Sequence, residues 1–119
     1  MKVKIFEIVN ARPVFEKLVK LELPFHTVRA VGKVVKVVSE ELTLVEQKRV
    51  ELVKKYGVAD EKQNITVAPE NMENFTKEYN EILNTEVDFE NGLTVKHLEN
   101  PIVNLSTQEY FSIEKFIVE

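Results

Sequence analysis

Residues 28–56 carry a spacing that few folds can absorb. Val28, Val31, Val35, Val38, Leu42, Val45, Arg49, Leu52 and Tyr56 follow one another at intervals of 3, 4, 3, 4, 3, 4, 3 and 4. That is a heptad seam over four repeats. The positions opposite it are Lys33, Glu40, Gln47 and Lys54, all polar. A strand repeats every two residues and cannot generate this pattern, so the segment GKVVKVV predicts helix despite its valines. Nine valines lie between Phe25 and Tyr56. Each costs a few tenths of a kcal/mol against alanine in a helix, so packing rather than propensity must hold the segment together.

The predicted helix runs from about Pro24 to Tyr56. Gly57 follows as its expected C′ residue, and Lys54 and Lys55 suit the negative end of the helix dipole. Val34, Val37 and Leu44 widen the apolar face beyond a two-stranded seam, so more than one neighbour must cover it. Arg49 occupies a core slot. Three roles stay open for it: reaching to solvent, pairing with a carboxylate of the acidic half, or marking where the helix leaves the core.

The flanks supply shorter elements. Lys2-Val3-Lys4-Ile5 alternates as a strand. From Asn10 the period changes, and Ala11, Val14, Phe15, Leu18 and Val19 form one face of a first helix, with Pro13 in its first turn and Glu16–Lys20 as an i,i+4 pair. Leu23-Pro24 ends it. Ile65-Thr66-Val67 predicts a short strand. Pro69 opens a third helix, with Met72, Phe75, Tyr79, Ile82 and Glu86 in 3–4 rhythm, expected antiparallel to the valine helix.

Residues 87–95 predict a β-hairpin. A two-residue Asn91-Gly92 loop would put Val87 and Phe89 on the opposite face from Leu93 and Val95. A three-residue loop through Glu90-Asn91-Gly92 pairs Phe89 with Leu93 and Val87 with Val95, gathering all four on one face, and is the expected one. Ser106 and Glu109 form a capping box for a last helix, which should dock Tyr110, Ile113, Phe116 and Ile117 inward. The expected fold is α+β in one domain over residues 1–119: a long central helix, two or three shorter helices and a small antiparallel sheet that includes the hairpin.

Charge is unevenly divided. Residues 1–57 hold 12 Lys and Arg against 7 Glu, a balance of +5, and residues 58–119 hold 4 against 13, a balance of −9. Opposite blocks in one small chain predict that one half packs on the other or that copies meet head to tail.

Function classes are narrowed by what is missing. There is no cysteine, which removes disulfides and thiolate metal sites. Three dispersed glycines, Gly32, Gly57 and Gly92, cannot make a phosphate-binding loop. His26 and His97 sit near element ends with no motif around them, and residues 60–64 lack the ligand spacing of a calcium loop. Acid pairs such as Glu40-Glu41, Glu70 with Glu73 and Glu78 with Glu81 fall on predicted solvent faces. No cofactor, metal or small-molecule substrate is expected, and no enzyme. Seven cations on the long helix alternate with four glutamates, netting +3 without a clean stripe, so nucleic acid is an unfavoured partner. No run near the start is apolar enough for a signal peptide or a membrane span, so the expected compartment is cytoplasmic. Asn64, Asn74 and Asn104 head glycosylation sequons that this compartment would leave unused.

The runs LPFHTVRAVGKVVKVVSEELTLVEQKRVELVKKYG, EILNTEVDFE and NLSTQEYFSIEKFIVE, in that order, resemble small proteins encoded by phages and prophages of Gram-positive bacteria. The resemblance covers nearly the whole chain. It departs at Ser106-Thr107, where that group often has Ser-Pro. It carries over no catalytic residue and implies a phage product made in a bacterial cytoplasm that works by binding protein. The expected function is therefore a non-catalytic accessory protein that contacts a host or phage protein, or itself. A virion assembly or chaperone-like component is the alternative. The candidate contact residues are Val34, Val37, Leu44 and Arg49.

Overall fold

In the computed structural model, which describes residues 1–118, the seam lies on a single helix, α2 (Phe25–Tyr56), of 32 residues. At 1.5 Å per residue it spans about 48 Å, nearly the whole 52 Å length of the molecule. Around it stand β1 (Lys2–Lys4), α1 (Ile5–Leu18), β2 (Gly57–Ala59), β3 (Ile65–Val67), α3 (Met72–Leu83), β4 (Glu86–Asp88), α4 (Val95–Leu98) and α5 (Thr107–Ile113). Single 3-10 turns precede α3 (Pro69–Asn71) and follow α5 (Glu114–Phe116). The class is α+β, with a long helix, shorter helices and two small antiparallel sheets.

The first helix begins five residues earlier than its face predicts. Lys4 is extended, and Ile5 then donates its N–H to Thr85 O at 3.0 Å, which ties the helix start to the turn after α3. Ile5 and Ile8 continue the stripe of Ala11, Val14, Phe15 and Leu18, and all six are buried. Pro13 therefore sits inside the helix and not in its first turn. It lies on the exposed side, where the bond its nitrogen cannot make leaves Val9 O without an i+4 donor. Glu16 pairs with Arg12 (2.9 Å), one turn back, because Lys20 already belongs to the turn beyond the helix.

The expected hairpin does not form. Val87 is paired with Val3 in an antiparallel β1–β4 ladder, and Phe89 N–H donates to Met1 O at 2.7 Å. Val95 starts α4 instead of a strand. Leu93 bonds to the C-terminal segment: its N–H donates to Phe116 O (2.8 Å) and its carbonyl accepts from Val118 N–H (2.7 Å). Gly92 is not left-handed. A Cβ there would stand 2.9 Å from Phe116 O, so the glycine admits the passing chain. Two long-range backbone partners replace one local turn, and Phe89 and Leu93 are both buried in the core that those partners join.

The core gathers at one end. Phe116 meets Phe15 and Phe89 edge-on, with ring centroids 5.1 and 5.4 Å apart, and Leu93, Ile113 and Val3 close around them. The capping box holds as expected: Glu109 N–H donates to Ser106 Oγ (3.1 Å) and Ser106 N–H donates to Glu109 Oε1 (2.9 Å). Of the four residues expected to dock, Ile113 and Phe116 are buried and Ile117 is half-buried, while Tyr110 keeps 37% of its surface exposed.

The other end is an arm made of the last turns of α2, the β2–β3 pair and α3. It runs antiparallel as expected: Asn71 Nδ2 donates to Tyr56 O (3.1 Å), while Tyr79 approaches Val45 and Glu46. Lys55 pairs with Glu78 (3.0 Å) across the two helices, and Lys17 pairs with Glu109 (3.2 Å) from α1 to α5. Both ion pairs join the basic half of the chain to the acidic half. Gly57 ends α2 in an extended conformation (φ −91°, ψ 161°) rather than as a left-handed cap.

Candidate protein-binding groove

Two overlapping stripes exist on α2, and the core covers one of them. The buried residues are Thr27, Val31, Val34, Val38 and Val45. They share Val31, Val38 and Val45 with the heptad seam but replace Val35 and Leu42 with Val34, a rotation toward the flank that the seam left out. Val35 and Leu42 are consequently only half-buried, and Val28 is exposed.

The uncovered flank forms a groove of about 860 Å³ between α1 and α2. Its floor is Val9 and Phe15 from α1 with Val35, Val38, Leu42 and Val45 from α2, and Tyr79 of α3 closes one end. Arg12 and Glu16 line the α1 rim, and Ser39, Thr43, Glu46 and Gln47 line the α2 rim. The groove runs alongside α1 from Val9 to Val19, facing residues 35–47 of α2.

The rim is ionic and partly self-neutralised. Arg12 Nε donates to Glu16 Oε1 at 2.9 Å. Arg49 Nε donates to Glu46 Oε2 at 2.9 Å, and its Nη2 donates to Oε1. The hydrogen bond from Arg49 holds the Glu46 carboxyl below the usual glutamate value; desolvation opposes it, and the charges of Arg49 and Arg12 add smaller lowering effects. Glu46 is therefore a fixed anion at neutral pH, facing a cation across the groove.

The residues singled out from sequence are scattered by the fold. Val34 is fully buried (0% exposed) in the core cluster and cannot present a contact surface. Val37 is half-buried against the core. Leu44 is 53% exposed, but on the flank of α2 away from the groove, where one apolar side chain is unexceptional. Arg49 lies four residues beyond Val45, the last buried valine, so it marks where α2 leaves the core. Its partner, Glu46, is on its own helix and not in the acidic half. None of the four lines the groove. Val35 and Leu42 do, and sequence reasoning had placed them in the covered seam. The pattern Thr27, Val31, Val34, Val38 was the available signal for the other choice.

Elsewhere, His26 and His97 bring their rings to 6.2 Å. His97 Nδ1 accepts the Thr94 N–H at 3.0 Å, so His97 acts as the return half of a capping box on α4. Among the described residues, no three His, Asp or Glu side chains gather in a metal-binding group. No protein-family model, curated protein or solved structure matches the chain.

Proposed function

We propose that this chain is a non-catalytic protein-binding module whose α1–α2 groove receives the apolar face of another helix. One observation carries the reading: a groove with an apolar floor runs for about three turns along a helix whose seam residues Val35 and Leu42 are only half-buried. A floor of branched aliphatic side chains between polar rims is the form that a helix-in-groove contact needs. The phage resemblance supports a bacterial cytoplasm as the setting, with a host or phage protein or a second copy as the occupant.

The absence of cysteine makes the test direct. Thr43→Cys puts a unique thiol on the groove rim, and Lys33→Cys puts one on the polar back of α2. A thiol-linked photo-crosslinker at each position, irradiated in bacterial lysate, should give protein adducts from position 43 and not from position 33. Equal adducts from both positions, or none from position 43, would overturn the reading.

A further inference from the structure

The Asn91-Gly92 pair, which makes no hairpin turn, lies in the loop between β4 and α4, and Asn91 is exposed. Neither the Asn91 side-chain amide nor the Gly92 N–H has a hydrogen-bond partner among the described residues. Residue 92 has no Cβ, so no side chain of its own shields that nitrogen. The other asparagines are restrained. Those inside α1 and α3 have the next N–H committed to the helix ladder. Asn71 and Asn84 spend Nδ2 on Tyr56 O (3.1 Å) and Asn80 O (2.9 Å). Asn100 precedes Pro101, which has no N–H, and Asn64 and Asn104 precede the branched Ile65 and Leu105.

A free amide beside a free N–H can close to a five-membered imide. The Gly92 nitrogen attacks Asn91 Cγ, the N–Cγ bond forms and the Cγ–Nδ2 bond breaks, and Nδ2 leaves as ammonia with the Gly92 proton. Water then opens the imide. Addition at Cγ returns an ordinary aspartate. Addition at the backbone carbonyl carbon routes the chain through Cβ and Cγ as isoaspartate and leaves that backbone carbon as the free carboxylate. The rerouted chain is longer by one carbon–carbon bond, about 1.5 Å. There is little room for it: a Cβ on Gly92 would already stand 2.9 Å from Phe116 O and 3.0 Å from Val118 Cγ1. The next residue, Leu93, is fully buried and holds the C-terminal segment by both backbone groups, its N–H to Phe116 O (2.8 Å) and its carbonyl to Val118 N–H (2.7 Å).

We infer that Asn91-Gly92 is a self-modification site: Asn91 converts to isoaspartate with water as the only co-reactant, and the inserted backbone atom unseats Leu93 from the C-terminal segment. The closure of the core then loosens as the molecule ages. Neither residue lines the α1–α2 groove, and the inference does not rest on it.

Purified protein held at mildly alkaline pH, folded or in urea, can be digested and read by mass spectrometry with fragmentation that separates isoaspartate from aspartate. Conversion at residue 91 should proceed in the folded protein at a rate comparable to that in urea, with isoaspartate the major product. The remaining asparagines should convert only in urea. Conversion at residue 91 confined to urea overturns the inference. In the aged protein, hydrogen exchange at the Leu93 and Val118 amides should be about tenfold faster. Asn91→Gln, whose longer side chain closes no five-membered ring, should stay unmodified and keep the protection of fresh protein. Fresh Asn91→Asp carries the new charge on an ordinary backbone and should keep it too. If that variant exchanges as fast as the aged protein, charge and not the added atom does the loosening, and the inference falls. Unchanged exchange in aged protein overturns it equally.

Discussion

Gly57 is needed for room and not for a left-handed turn. A Cβ there would collide with the Val53 carbonyl oxygen and come within 2.5 Å of Ile65 Cγ2, and the first obstacle is backbone of α2. Gly57→Ala should therefore cost about 1–3 kcal/mol in denaturant unfolding, and Gly57→Asn should be no better. An asparagine that rescued stability would indicate a left-handed cap instead. At the opposite end of the chain, Ser106→Ala should cost about 1 kcal/mol by leaving the Glu109 N–H without its partner. Glu109 itself is held below the ordinary glutamate value by the Ser106 backbone N–H first and by Lys17 second. Its stabilising contribution is complete above the unfolded glutamate value and is lost as pH falls through the lowered folded one. Glu109→Gln should flatten part of the acid limb of stability, read from urea midpoints between about pH 6 and about pH 3. Glu46 and Glu78 are lowered as well, so part of the limb should remain.

Among the elements, α2 shows that a heptad pattern names a helix without naming which side of it is buried. Val34 and Leu44 look equivalent in the sequence, since each widens the same apolar face. The structure puts one wholly inside and leaves the other 53% exposed. Val34→Ala should then cost about 2 kcal/mol, from two methyl groups and a partly unfilled cavity. Leu44→Ala should stay within about 0.5 kcal/mol. Comparable losses at the two sites would place Leu44 under a partner. The first helix offers the reverse test. Pro13 interrupts it at an exposed position, and Pro13→Ala restores a donor to Val9 O. The gain should be about 2 kcal/mol, a helix-interior proline penalty less the extra freedom of the unfolded alanine chain.

Over the whole molecule, stability is graded along the long axis. The core end is closed by Ile8, Leu18, Val34, Leu93, Ile113 and Phe116, all almost completely buried. The arm beyond Val45 has Ala68 as its one buried residue, and its two strands of three residues form a pair that would be marginal in water without α2 beneath it. Backbone amides in β2 and β3 should exchange much faster than those of α1, with the arm opening while the core stays shut. Uniform protection across both would mean that arm and core unfold as one unit. Among the described residues three ion pairs join the chain halves: Lys17–Glu109 and the N-terminal ammonium with Asp88 (3.6 Å) at the core end, and Lys55–Glu78 on the arm.

Local chemistry settled a good deal without any tertiary information. The 3–4 spacing fixed α2 to within a residue at its start, Ser106 with Glu109 fixed the start of α5, and Pro69 placed the turn that leads into α3. Each of these signals involves groups within four residues of one another, so its energy is present wherever the segment lies. What the tertiary structure alone decided involves partners far apart in the chain. Val87 chose Val3 over Val95, Leu93 took the C-terminal segment, and Ile5 started a helix because Thr85 O was there to meet its N–H. The groove belongs to that second group. Val35 and Val34 are neighbours of the same residue type, and only the tertiary packing around α2 determines which of them is core and which lines the groove.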